Sequence, residues 1–184
     1  MTTRARGVAV LAVQLALVLS IAAKYAWERH SCPRVWTRTA QFDPDTPLRG
    51  RYLALTLTAD ACALPLDKAN AQHDWKNGRE TGDVASWQWS VLPRAKDGAL
   101  TGILAGDARP EEKEVLTLRN GVPCNYGWLN ASTEFFISES ARQPFPLAPG
   151  EQLWAEVTVP PSGPPRPIQL AISGGKNFRV LDLR

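Results

Sequence analysis

Few side chains in these 184 residues are suited to chemistry, and their types and spacing limit what that chemistry can be. There are two histidines, His30 and His73. A Ser-His-Asp relay would have to recruit His73, and the adjacent Asp74 cannot orient that imidazole from the next position in the chain. A serine-lysine dyad needs an amine desolvated beside a serine. Lys68, Lys76, Lys96, Lys113 and Lys176 all stand in polar runs instead. Glu134, Glu139 and Glu156 form an acid and base pair only if a β-fold gathers them, and their plainer reading is exposed strand or turn residues. Gly174-Gly175-Lys176 lacks the upstream glycine and the following hydroxyl of a phosphate loop and reads as a hairpin turn. No catalytic residue and no cofactor is assigned, and the chain is read as a non-enzyme.

The three cysteines, Cys32, Cys62 and Cys124, are too widely spaced for a CxxC redox or metal motif. Neither histidine pairs with them at zinc-finger distances, so no metal site is expected. In an oxidising compartment three cysteines give one disulfide and one spare thiol. The preferred pair is Cys62 with Cys124, because Cys32 lies only a few residues beyond an apolar segment; all three reduced is the alternative.

Tryptophan is the surplus residue, with seven copies. Trp75, Trp87, Trp89, Trp128 and Trp154 fall in the body of the chain, and such rings either fill a core or line a binding face. His73, Trp75, Trp87 and Trp89 form the candidate interaction surface. For Trp87 and Trp89 core packing competes strongly, since Ser86, Gln88 and Ser90 occupy the opposite face of their strand.

These residues are positioned by two kinds of element. The stretch Gly7–Ala23 carries no charge, and Gln14 and Ser20 are its only polar side chains. It stands at the short limit of about 17 residues for crossing a bilayer. Tyr25 and Trp27, which suit the headgroup level, and Lys24, which can snorkel, lengthen it. Arg4 and Arg6 precede it with no acidic residue before Glu28, so the positive-inside tendency keeps the N-terminus in the cytoplasm. The expected layout is a cytoplasmic tail 1–6, an inner-membrane anchor 7–27, a juxtamembrane segment 28–48 and a periplasmic β-rich domain 49–184. A cleaved signal peptide competes through the small residues Ser20, Ala22 and Ala23. The length of the run and the bulky Tyr25 and Trp27 favour a retained anchor. Cys32, in His30-Ser31-Cys32, lacks the small and apolar residues that lipidation needs.

Arg4, Arg6 and Lys24 account for the whole formal charge of +3; from Glu28 onward 18 basic residues face 18 acidic ones. A neutral exported domain lacks the surplus of a nucleic-acid binder, and that class is excluded.

Beyond the anchor, period-2 segments punctuated by proline and glycine indicate strands. They are Arg51–Ala59, Val84–Leu92, Ala99–Leu104, Glu114–Arg119, Thr133–Ser138, Gln152–Val159, Pro167–Ile172 and Phe178–Leu183. About eight short strands predict a sandwich or partly closed barrel behind one transmembrane helix. In the first strand Leu53, Leu55, Leu57 and Ala59 share the face expected to point inward. Between the first two strands Asp60–Asp83 reads as a long loop that either hosts a short helix at Leu66–His73 or serves as a binding or docking surface, and Pro160–Pro167 reads as a stiff extended connector between two edge strands.

The run Asp43–Leu57, DPDTPLRGRYLALTL, resembles the signature of the GDYXXLXY family of membrane-anchored bacterial proteins. Gly50, Tyr52 and Leu55 match it; Arg51 stands at the aspartate place and Leu57 at the final tyrosine. A second family segment, two aromatics and an aliphatic followed by Pro-Glu-Gly, is similar to Phe135-Phe136-Ile137-Ser138-Glu139-Ser140, which keeps Glu139 and has serines at the other two places. The order of anchor, Asp-Pro, glycine motif and aromatic segment is also similar. The resemblance implies an association with a multi-spanning membrane protein. The resulting expectation is an accessory or docking subunit for an integral membrane or envelope partner. The alternative is an envelope domain that binds or hydrolyses cell-wall or lipid-linked substrates.

Overall fold

An uncharged apolar run without proline satisfies its own backbone, with neither water nor a neighbour, only as a helix. In the computed structural model, which describes residues 3–43, 52–76, 79–138, 147–174 and 177–182, that run forms α1, Thr3–Ser31. At about 1.5 Å per residue α1 extends over about 43 Å, more than the ~30 Å of a hydrocarbon core. Its segment Arg6–Ser31 has mean hydropathy 2.0 and buries none of it, so it is long and apolar enough to cross a membrane. The Ser20 hydroxyl donates to the Leu17 carbonyl (2.8 Å), hiding its polarity inside the helix. The helix runs past the expected Trp27 because Glu28, Arg29 and His30 are tolerated there, and the two basic residues of the last turn favour its negative end.

The second compact unit begins at Pro33. Its described residues form ten strands: β1 Arg34–Asp43, β2 Tyr52–Ala59, β3 Asn70–Lys76, β4 Arg79–Lys96, β5 Ala99–Leu104, β6 Glu114–Arg119, β7 Gly127–Phe136, β8 Glu151–Thr158, β9 Arg166–Gly174 and β10 Asn177–Val180. They make one antiparallel sheet in the order β10-β9-β8-β1-β2-β7-β6-β4-β3, with β5 also on β4. Strand β1 is the hinge of the sheet. Arg34–Arg38 pair with β8, whereas Thr39–Asp43 pair with β2.

The sheet has no continuous barrel closure, but it curls until β5 meets the end of β2. There the Asp60 amide donates to Leu100 O (2.8 Å) and the Gly102 amide to Asp60 O (3.0 Å), an isolated parallel bridge. The alternating leucines fill the interior: Leu55, Leu57, Val91, Leu116, Leu129 and Leu153 are all buried in one cluster. Gly127 marks a close backbone approach, since a Cβ there would stand 3.1 Å from Ala59 O and 3.3 Å from Leu116.

Three expectations change. The stretch read as juxtamembrane contains β1, whose pattern Arg34-Val35-Trp36-Thr37-Arg38-Thr39 buries Val35, Thr37 and Thr39. The expected Asp60–Asp83 loop is instead a short excursion followed by a hairpin: a 3-10 turn at Leu66–Lys68 replaces the predicted helix, and β3 pairs with β4 from Asn70 onward. The proline-rich connector joins two paired strands, β8 and β9, and buries Pro160 and Pro165.

Candidate functional site

Where β1 changes partner, from β8 at Arg34–Arg38 to β2 at Thr39–Asp43, the two ladders part, and buried threonines complete the hydrogen bonding there. The Thr37 hydroxyl donates to Thr58 O, Thr58 Oγ1 to Arg38 O at 3.1 Å, and Thr39 Oγ1 to Leu153 O at 3.2 Å. The Gln152 amide group spans the same opening, donating to Thr39 O (2.9 Å) and Leu153 O (3.2 Å). Buried carbonyls left without partners cost about 1–3 kcal/mol each, so this polar seam fixes the divergence of the strands.

The divergence leaves a cavity of about 400 Å3. Arg38 of β1, Thr58 of β2 and Trp128 of β7 line one side, and Glu151, Gln152 and Leu153 of β8 another. Val122 and Tyr126, from the β6–β7 connection, and Leu147 contribute further wall.

The arginine is the cleft's distinctive group. Its guanidinium carbon lies 4.3 Å from the centre of the Tyr126 ring and 5.0 Å from that of Trp154. Arg119 stands 5.1 Å over the Trp128 ring in the same way. Such cation–π contacts are worth about 0.5–2 kcal/mol and leave the edge N–H groups of the guanidinium available. Trp154 also meets Phe178 edge-on at 6.2 Å, and Phe178 meets Trp36 at 5.0 Å, so an aromatic cluster borders the arginine. Glu151 Oε2 accepts from the Ala148 amide at 2.9 Å.

A disulfide between Cys62 and Cys124, Cα atoms 4.8 Å apart, stands behind Tyr126. Cys124–Tyr126 is a 3-10 turn after Pro123. The Asp60 carboxylate accepts from the Cys62 amide (2.7 Å), and the Ala61 amide donates to Cys124 O (2.9 Å). The staple thus fixes the turn that presents Tyr126 to Arg38. Cys32 is a free thiol.

The residues singled out in the sequence lie elsewhere. Leu55 is wholly buried in the core. Phe135 packs against that core, while Phe136 is 60% exposed. Tyr52 opens β2, and the β2–β7 register sets Tyr52 opposite Phe136 and Leu53 opposite Phe135, so the two family-like segments are neighbours in the sheet. Gly50 and Glu139, and the side chains of Tyr52 and Trp75, lie outside the described residues.

His73 sits half-buried on β3, opposite Val84 of β4. Trp87 packs against the core. Trp89, 2% exposed, is removed from the interaction surface: it is core, and its indole N–H donates to Pro65 O at 2.9 Å. Glu134 on β7 and Glu156 on β8 are not brought together: β1 and β2 lie between their strands, and their registers meet β1 at opposite ends, at Asp43 through Ala54 and at Trp36. Among the described residues no group of three His, Cys, Asp or Glu side chains is placed to hold a metal.

The cleft residues Arg38, Tyr126 and Glu151 drew no notice in the sequence. The available signal was the strand alternation of Arg34–Thr39, hidden by its closeness to the apolar helix α1. Compared with protein-family models, curated proteins and solved structures, the chain finds no match.

Proposed function

We propose that this chain is a single-pass inner-membrane protein with a cytoplasmic N-terminus, whose β-rich domain acts in the periplasm as a non-catalytic binding or docking subunit. The observation that carries the reading is an unburied apolar helix, Arg6–Ser31, in the same chain as a disulfide-stapled β-domain. Disulfides persist in oxidising compartments, and Arg4 and Arg6 with no acidic residue before Glu28 favour export of the chain beyond the helix. The resemblance to GDYXXLXY proteins points to the same topology and to a multi-spanning membrane protein as partner. The arginine-aromatic cleft favours a second element of the reading, the binding of a ligand by the domain itself.

Alkaline phosphatase fused at the C-terminus tests the topology, with active enzyme expected there and a silent cytosolic reporter. The opposite pattern overturns it. For the docking role, purification from detergent-solubilised membranes is expected to recover one multi-spanning protein in stoichiometric amount. Recovery of the chain alone in several detergents counts against that role.

A further inference from the structure

We propose that the cleft between β1, β7 and β8 binds an organic carboxylate on an apolar stem, with Arg38 as the carboxylate receptor. This rests on the ligand-binding reading above and is independent of the topology.

Arg38 is set apart by burial without a polar partner: Arg119 and Arg179 also lack ion pairs among the described residues but are exposed, whereas Arg38 is half-buried. Its guanidinium makes two ring contacts, to Tyr126 and Trp154. It forms no ion pair and donates no side-chain hydrogen bond among the described residues. Arg109, in contrast, pairs with Glu112 at 2.9 Å, and Arg94 donates to Pro93 O. A half-buried cation is expensive unless something compensates it. The ring faces compensate charge but cannot accept the five N–H donors, which lie in the guanidinium plane.

What completes such a group is a planar oxyanion taken edge-on by two parallel hydrogen bonds. The rest of the cavity selects the stem. Trp128, Val122, Leu147 and Leu153 supply apolar wall, and about 400 Å3 lies within the range of small-molecule sites. Glu151, on the same cavity, sets the charge. A second negative charge on the ligand would face that carboxylate, so a monoanionic carboxylate is favoured over a dianionic phosphate.

The test uses the full-length chain in nanodiscs at pH 8, read by tryptophan fluorescence, because Trp128 lines the cavity and Trp154 lies against Arg38. Three probes share the phenylethyl stem: 3-phenylpropanoate, its neutral amide, and 2-phenylethyl phosphate. The acid is expected to bind saturably, and the amide and the phosphate at least about tenfold more weakly, the ratio a charge-assisted pair supplies. Arg38→Gln is expected to weaken the acid by a similar factor and leave the amide unchanged. Arg38→Lys, which keeps the charge and loses the fork, should fall between.

Amide as tight as acid overturns the carboxylate and leaves a binding cleft standing. Phosphate tighter than acid overturns the choice of a planar monoanion. No saturable binding by any probe overturns both the inference and the ligand-binding reading. Should Arg38→Gln fail to fold, the wild-type ratio of acid to amide and the Arg38→Lys variant still decide.

Discussion

Strands β4 and β8 carry the same device, tryptophan in a period-2 pattern, and use it oppositely. On β4, Trp89 is 2% exposed and belongs to the core. On β8, Trp154 faces away from the core, beneath Arg38 and against Phe178. The intervening residues decide. On β4 they are Ser86, Gln88 and Ser90, which cannot be buried without partners, so the rings turn inward. On β8 they are Leu153, Ala155 and Val157, all essentially unexposed, and these already fill the interior. On these two strands the tryptophan is core where its competitors for the inner face are polar; where they are aliphatic, the ring is left on the outer face.

This contrast predicts unequal losses. Trp89→Ala opens a large cavity and removes one of the two donors to Pro65 O, leaving the Lys68 amide, and should cost about 3–5 kcal/mol in a denaturant titration. Trp154→Ala should cost only about 1 kcal/mol, the scale of a cation–π contact, while weakening carboxylate binding. Equal destabilisation would break the comparison.

The disulfide comes next. A loop of 62 residues closed by Cys62–Cys124 contributes about 4 kcal/mol in the chain-entropy treatment. Cys62→Ser with Cys124→Ser should lower the unfolding midpoint accordingly. At temperatures where the double variant stays folded it should still bind 3-phenylpropanoate more weakly, because Tyr126 follows Cys124 in one turn. Unchanged affinity would detach Tyr126 from the staple. Tyr126→Ala isolates the ring itself, with an expected stability loss of about 1 kcal/mol and a clear loss of acid affinity. If affinity falls in neither variant, the outward aromatic side of β8 is packing alone.

Much of this was legible. Leu53, Leu55, Leu57 and Ala59 alternate cleanly and are buried as expected, because two-fold periodicity is a local property of the chain. The β4–β5 hairpin turns at Asp97-Gly98, a signal that the strand reading ending at Leu92 passed over. Both residues adopt positive φ, 51° and 77°, as a two-residue turn between twisted strands requires. Strand β1 was not legible. Its alternation begins three residues after α1 ends, and the anchor dominates any reading of that stretch. The cleft was illegible for a different reason. Arg38, Tyr126 and Trp154 are far apart in the chain and meet only through the β1–β8 pairing and a 3-10 turn, and no local pattern encodes that meeting.

The smallest expected effect concerns charge beside β4. Glu114 begins β6 on the face that continues as Leu116 and Leu118, both buried, and it pairs with Val91, two residues beyond Trp89. Burial pushes its carboxyl above the ordinary 4.5. The folded chain therefore holds this proton more tightly than the unfolded one, and stability falls wherever the unfolded state binds fewer protons. The contribution is fully present below the unfolded glutamate value of about 4.3 and is lost as pH rises through the folded value. Glu114→Gln removes the dependence. It should raise the melting temperature modestly at pH 7, because Glu114 is only half-buried, and leave it unchanged near pH 4. A lower melting temperature for Glu114→Gln at pH 7 would mean that the carboxylate has a compensating partner there.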